Sequence, residues 1–207
     1  MISQLIPIFG SRTKSQEIFL LLENLKPVVR QGFYPSELPA VEKFCWQNKL
    51  HLSQSKYKVL LADQTDYSNK GIKIPNNDPR QGMTWTYISK EEPKVLLAEY
   101  YELINNHQAL GQILGYPACC VNYFKQQFNI SNTNLQLPPS NPWTNLTLRD
   151  QDYVILSHFP CSSDCEASIE LAKKYFSLLV RKDKSWAEEL FRRLNYKSKT
   201  PQPAGGV

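Results

Sequence analysis

The chain has 207 residues, 42% of them hydrophobic, with 24 basic against 19 acidic side chains. That is enough for one sizeable core and too little for two large independent ones. No window approaches the ~20 apolar residues of a membrane span, and the first ten residues lack the basic lead and long apolar run of a secretion signal, so a cytoplasmic protein with no membrane partner is expected.

The charge is uneven. Residues 173–199 hold nine basic and three acidic side chains, and the rest of the chain is balanced at 15 and 16. A basic helical face of this kind contacts nucleic acid or an anionic substrate, but is more often simply solvated. Nucleic acid is therefore an open partner and not the favoured one, beside an unidentified small-molecule substrate or redox partner.

In chain order, the first dozen residues read as an irregular or weakly extended lead. From Ser15, as N-cap, apolar residues at helical spacing run to the break at Pro27. Residues 30–34 read as a loop. Ser36 and Glu37 open a second helix that ends near Lys49 and carries Cys45 on its apolar stripe beside Val41 and Phe44. Residues 57–62 and 83–89 read as strands. The polar stretch between them is of a length that is usually functional or disordered, with a short strand at Ile72–Ile74. Helices follow from Glu91-Glu92-Pro93 to Asn105-Asn106, with Leu96, Leu97, Tyr100, Tyr101 and Ile104 as the apolar stripe, then at 108–114 and at 118–128. A polar loop covers 129–147, a strand or extended segment 153–157, and helices about 163–180 and 185–194. The fold class is α+β, a mainly helical single domain over 1–196 with a small antiparallel sheet, and 197–207 form a disordered tail.

Two short windows carry the chemistry. Leu114-Gly115-Tyr116-Pro117-Ala118-Cys119-Cys120 and His158-Phe159-Pro160-Cys161-Ser162-Ser163-Asp164-Cys165 hold four of the five cysteines and one of the three histidines. In each a proline precedes sulfur and a helical pattern follows, which places the cysteines at helix starts, where free N–H groups and partial positive charge favour thiolate. In a reducing compartment such clusters are metal or redox sites more often than disulfides.

Four thiolates suit an iron–sulfur cluster or zinc, and three with the His158 imidazole suit zinc best. Neighbouring side chains diverge, so adjacent cysteines tilt the reading towards a [4Fe–4S] cluster bound by Cys119, Cys120, Cys161 and Cys165. His158 then serves as proton donor or alternative ligand, and His158 with Cys120 are the candidate reacting groups. The sharp hypothesis is a metalloprotein doing redox or sulfur-related chemistry. The alternatives are a zinc-stabilised module that meets RNA or protein through its basic C-terminal helices, a metal-free thiol redox pair, and cysteines that merely pack as small hydrophobes.

Other residues read more plainly. Cys45 belongs to the core; His51 and His107 are surface or capping groups. Asp63 and Asp66 form a turn, and Ser162, Ser163 and Asp164 cap a helix. Tyr116, Trp85, Trp143 and Tyr153 fill core more readily than they wall a pocket, and Arg149 and Asp150 are candidates by position alone. No phosphate-binding glycine loop, G-x-S-x-G or H-E-x-x-H is present.

The two windows resemble an uncharacterised prokaryotic family, domain of unknown function 483, which is similar in its L-G-Y-P-x-C-C followed by an aromatic, here Leu114 to Cys120 with Phe124, and in its H-x-P-C-S-x-x-C, here His158 to Cys165. The likeness covers about 110–168. It implies that the two windows form one site and implies no reaction.

Overall fold

The computed structural model describes residues 1–61, 71–129 and 131–198. Its class is the expected one, α+β and mainly helical with one antiparallel sheet. Two compact units divide the chain, Met1–Leu135 and Gln136–Val207. Among the described residues no helix is long and apolar enough to cross a membrane.

The first unit opens with a helix where an irregular lead was expected. α1 spans Ile2–Phe9, burying Ile2, Leu5 and Phe9. These positions recur at helical spacing, and Gly10 in the left-handed region stops the helix by donating its N–H to Ile6 O at 2.8 Å. Pro7 lies inside the helix. The N-cap of α2 (Arg12–Leu22) is Ser11, whose side chain accepts from Lys14 N; Ser15, expected in that role, is buried one turn further on.

Residues 29–33 also correct the reading. They form β1 (Val29–Phe33), paired antiparallel with β4 (Met83–Ser89) from Val29↔Ile88 to Phe33↔Thr84. Only a partner strand supplies the missing ladder bonds, and that partner lies more than fifty positions away. α3 (Leu38–Gln47) follows with Pro39 in its first turn and Cys45 buried, as expected. β2 runs over His51–Leu61, longer than the sequence suggested, and β3 over Gly71–Pro75, giving the sheet order β1-β4-β2-β3. Pairing of β2 with β4 slips between Gln54 and Lys58, so Ser55, Lys56 and Tyr57 bulge opposite Trp85.

α4 (Glu92–Leu103) buries Val95, Ala98 and Glu102, while Leu96, Leu97, Tyr100, Leu103 and Ile104 are exposed. The buried face is thus set by a carboxylate that the apolar count passed over. Glu102 accepts from Arg30 Nε and, at 2.7 Å, from Arg30 Nη2, and from Tyr87 Oη at 3.1 Å. α5 (His107–Ile113) is capped by Asn106, whose side chain accepts from Ala109 N, and α6 covers Ala118–Gln127.

In the second unit, buried Leu146, Leu148, Val154, Ile155 and Leu156 gather the irregular chain. Residues 153–157 form no strand; a 3-10 turn at Arg149–Gln151 precedes them. α7 (Glu166–Lys182) and α8 (Lys184–Ser198) pack through Phe176 and Phe191, with Trp143 against both. The helical assignment of Lys197 and Ser198 shortens the expected tail, whose remainder, 199–207, lies outside the described residues.

Candidate metal centre

The first cysteine pair is placed by a helix-to-helix corner. α5 ends in a paired cap: Tyr116 N donates to Gly111 O at 3.1 Å and Gly115 N to Gln112 O at 3.0 Å, with Gly115 at φ +79°. This conformation suits glycine, and a Cβ on Gly115 would meet Pro27 Cδ at 2.8 Å. Pro117 then caps α6 in extended conformation and accepts from Val121 N at 3.0 Å. Cys119 and Cys120 therefore occupy the first turn of α6, where helical N–H groups lack intrahelical partners. Lys26, itself buried beside Glu17 at 2.9 Å, sits 4.7 Å from the Tyr116 ring centroid and backs the corner.

The second pair sits on a braced turn. Cys165 is the N-cap of α7, not a first-turn residue, because the helix begins at Glu166. Its N–H donates to Ser162 O at 3.2 Å and its carbonyl accepts from Ile169 N at 2.9 Å. Ser162, Ser163 and Asp164 consequently do not cap the helix. Ser163 O instead accepts from Asn141 Nδ2 at 2.8 Å and from Thr144 Oγ1 at 2.5 Å, and Asp164 accepts from Ser140 Oγ at 2.6 Å. The polar residues 140–144, read only as loop, are the brace of this turn.

The ligand atoms of Cys119, Cys120, Cys161 and Cys165 all lie within 4.8 Å of one another. Cys119 and Cys120 Sγ are 3.9 Å apart. Cys120 and Cys165 are buried, Cys161 is half-buried and Cys119 is exposed. Four soft donors at this separation fit a metal ion. This group consists of the four sulfurs and does not include His158. The His158 imidazole is buried, with Nε2 at 2.9 Å from Ser168 Oγ in the first turn of α7, an arrangement that fixes its ring.

The remaining candidates fall outside that cluster. Cys45 is 2% exposed, and burial, with Glu42 nearby, pushes its thiol up to about 12, so it stays protonated and inert. His51 is exposed at the start of β2. His107 is exposed at the start of α5 with its ring 5.9 Å from that of Phe124; partial burial, together with Lys73 and Arg30, pulls its pKa down despite Glu102. Trp85 lies under the Arg30 guanidinium at 3.7 Å, and Tyr153 donates to Glu189 at 2.6 Å. Arg149 is buried, donates to Ser157 O and covers the Phe159 ring; Asp150 is exposed. Asp63 and Asp66 lie outside the described residues.

Sequence reasoning passed over the buried polar set around Arg30 and Glu102. The available signal was Glu102 falling at helical spacing from Val95 and Ala98 on a face otherwise apolar. Comparison with protein-family models, curated proteins and solved structures finds no match to this chain.

Proposed function

We propose that the protein binds one zinc ion through Cys119, Cys120, Cys161 and Cys165 and that the ion is structural, making the chain a zinc-stabilised binding module. One observation carries this reading: the mutual spacing of the four sulfurs. A tetrahedral ion with Zn–S of about 2.3 Å sets its ligands about 3.8 Å apart, and the Cys119–Cys120 separation is 3.9 Å. A cube-shaped iron–sulfur cluster spreads its four cysteine sulfurs to roughly 6 Å, beyond the 4.8 Å that bounds all four here. The divergence of adjacent side chains, which favoured the cluster at first, is small enough in the first turn of α6 to leave both sulfurs near one point.

Four thiolates fill a zinc ion's coordination shell, leaving no position for substrate or water, and zinc has no redox chemistry. The ion's contribution is then folding free energy, and a reducing compartment such as the cytoplasm keeps the thiols available for it. Metal content and free thiols, measured on anaerobically purified protein, test the reading. One zinc per chain in a colourless preparation is expected, and cobalt substitution should give the visible spectrum of a tetrahedral thiolate site. Iron with inorganic sulfide and absorption near about 400 nm would restore the cluster; protein carrying no metal and exchanging disulfides would restore the thiol redox reading.

A second reading concerns the partner. Lys173, Lys174, Arg181, Lys182, Lys184, Arg192 and Arg193 are all exposed on α7 and α8, which supports contact with RNA. Binding that weakens steeply with salt is the expected result; binding indifferent to salt, or none, rejects it.

A further inference from the structure

The outer face of α4 reverses the pattern of an ordinary surface helix, which turns charge to water and apolar residues inward. Past Pro93, every exposed residue of α4 and its C-cap is large and apolar: Leu96, Leu97, Tyr100, Leu103 and Ile104, each between 42% and 54% exposed. The charged residues of the helix are spent on its flanks and its inner side. Lys94 donates to Glu91 Oε1 at 2.5 Å, Glu99 accepts from Ser53 Oγ, and buried Glu102 is bonded to Arg30 and Tyr87. The other exposed large apolar residues among those described, Met1, Tyr34, Trp46, Ile72 and Val180, are scattered singly along the chain. Scattered residues are normal on a surface, whereas a continuous uncharged stripe marks an interface.

Area and symmetry say what covers it. Five large side chains, each about half exposed, offer on the order of 500 Å² of apolar surface. Two such stripes pressed together remove about 1,000 Å² from water, and the polar ends of the helix bring the total into the roughly 1,200–2,000 Å² range of a specific interface. Any partner must be as free of charge as the stripe, or it buries a charge unpaired. The stripe itself meets that demand, and it is symmetric about Tyr100: Leu96 and Ile104 stand four residues to either side, Leu97 and Leu103 three. A two-fold axis through Tyr100 therefore lays apolar residue on apolar residue along the whole length.

The charges at the two ends select the antiparallel arrangement. Glu91 and Glu92 are exposed at the N-terminal end. At the C-terminal end stand exposed Lys73, which donates to Asn105 Oδ1 at 2.9 Å, and exposed His107. Antiparallel helices oppose their dipoles and set the acidic end of each copy against the basic end of the other. We propose that α4 pairs antiparallel with the α4 of a second copy of this chain, about a two-fold axis at Tyr100, with Glu92 facing the partner subunit's Lys73. The pairing is independent of the cysteine site.

The test follows the mass of the full chain, as purified and with its thiols kept reduced, by sedimentation from about 1 to about 300 µM, a range that brackets the micromolar affinity of a small interface. Mass should rise with concentration from one chain to two. Tyr100→Glu, which puts two like charges on the axis, should weaken pairing at least about a hundredfold, with circular dichroism and urea midpoint unchanged because the position is exposed. Trp46→Glu on α3 should leave pairing as it was. Glu92→Lys and Lys73→Glu should each weaken it about threefold, and the two together should restore it. A single chain at every concentration overturns the pairing, and flotation of that monomer with phosphatidylcholine vesicles would then give the face to a lipid surface. A dimer that survives Tyr100→Glu overturns the choice of face, and a double charge swap weaker than either single one overturns the antiparallel arrangement.

Discussion

Replacing Gly115 with alanine tests the corner that carries Cys119 and Cys120. At φ +79° an L-residue costs about 1–2 kcal/mol. The new Cβ would also stand 2.8 Å from Pro27 Cδ and 3.2 Å from Cγ, where carbon atoms rest at about 3.5–4.0 Å. The proline ring cannot rotate away, and its carbonyl is held by Ser89 Oγ at 2.8 Å. Overpacking of this kind costs about 1–3 kcal/mol, and alanine returns about 0.4–1 kcal/mol by restricting the unfolded chain. The net destabilisation is about 2–4 kcal/mol, read as a lower urea midpoint at unchanged slope. The strain falls four residues before Cys119, so metal affinity, measured by competition with a chelator, should drop about tenfold. A loss below about 0.5 kcal/mol with unaltered metal affinity would refute the claim that this cap aims the sulfurs.

Three further outcomes follow from the same geometry. Gly111→Ala would drive a Cβ to 2.7 Å from Val121 Cγ2, prising α6 from α5; a loss of about 2 kcal/mol that Val121→Ala largely restores is expected in urea unfolding. Burial works to raise the Glu102 carboxyl, but Arg30 and its hydrogen bonds hold it below the usual carboxylate range. A group with a depressed folded pKa gives stability that is present above its unfolded pKa and lost as pH falls through the folded one. Glu102→Gln should therefore cost about 3 kcal/mol at neutral pH, and the gap from wild type should close on acidification; a gap independent of pH rejects the ion pair as its cause. Cys45→Ala should leave metal content unchanged and lower stability by about 1–2 kcal/mol through the cavity it opens, and native Cys45 should resist alkylation at neutral pH because its thiol is pushed up to about 12; rapid labelling of Cys45 in folded protein would contradict its burial.

Elements whose signals are local were legible in advance. β4 falls on the predicted residues 83–89, and α6 starts where Pro117 said it should. Alternation and proline act within a few positions, so no distant partner is needed to read them. β1 was invisible for the opposite reason: Val29–Phe33 makes sense only against β4. The stripe on α4 misled because counting apolar residues gives no weight to Glu102, whose burial depends on Arg30 and Tyr87 arriving from two strands.

The sequence by itself determined which residues hold the soft donors and that Cys119, Cys120 and Cys165 stand at helix starts, because caps and prolines are written within one turn of the chain. Tertiary structure alone decided that the sulfurs meet within 4.8 Å, as a metal site requires, since the approach of residues some forty positions apart is a property of packing. It also decided that Glu102 is buried, because Arg30 and Tyr87 reach its carboxylate only once β1 and β4 are paired.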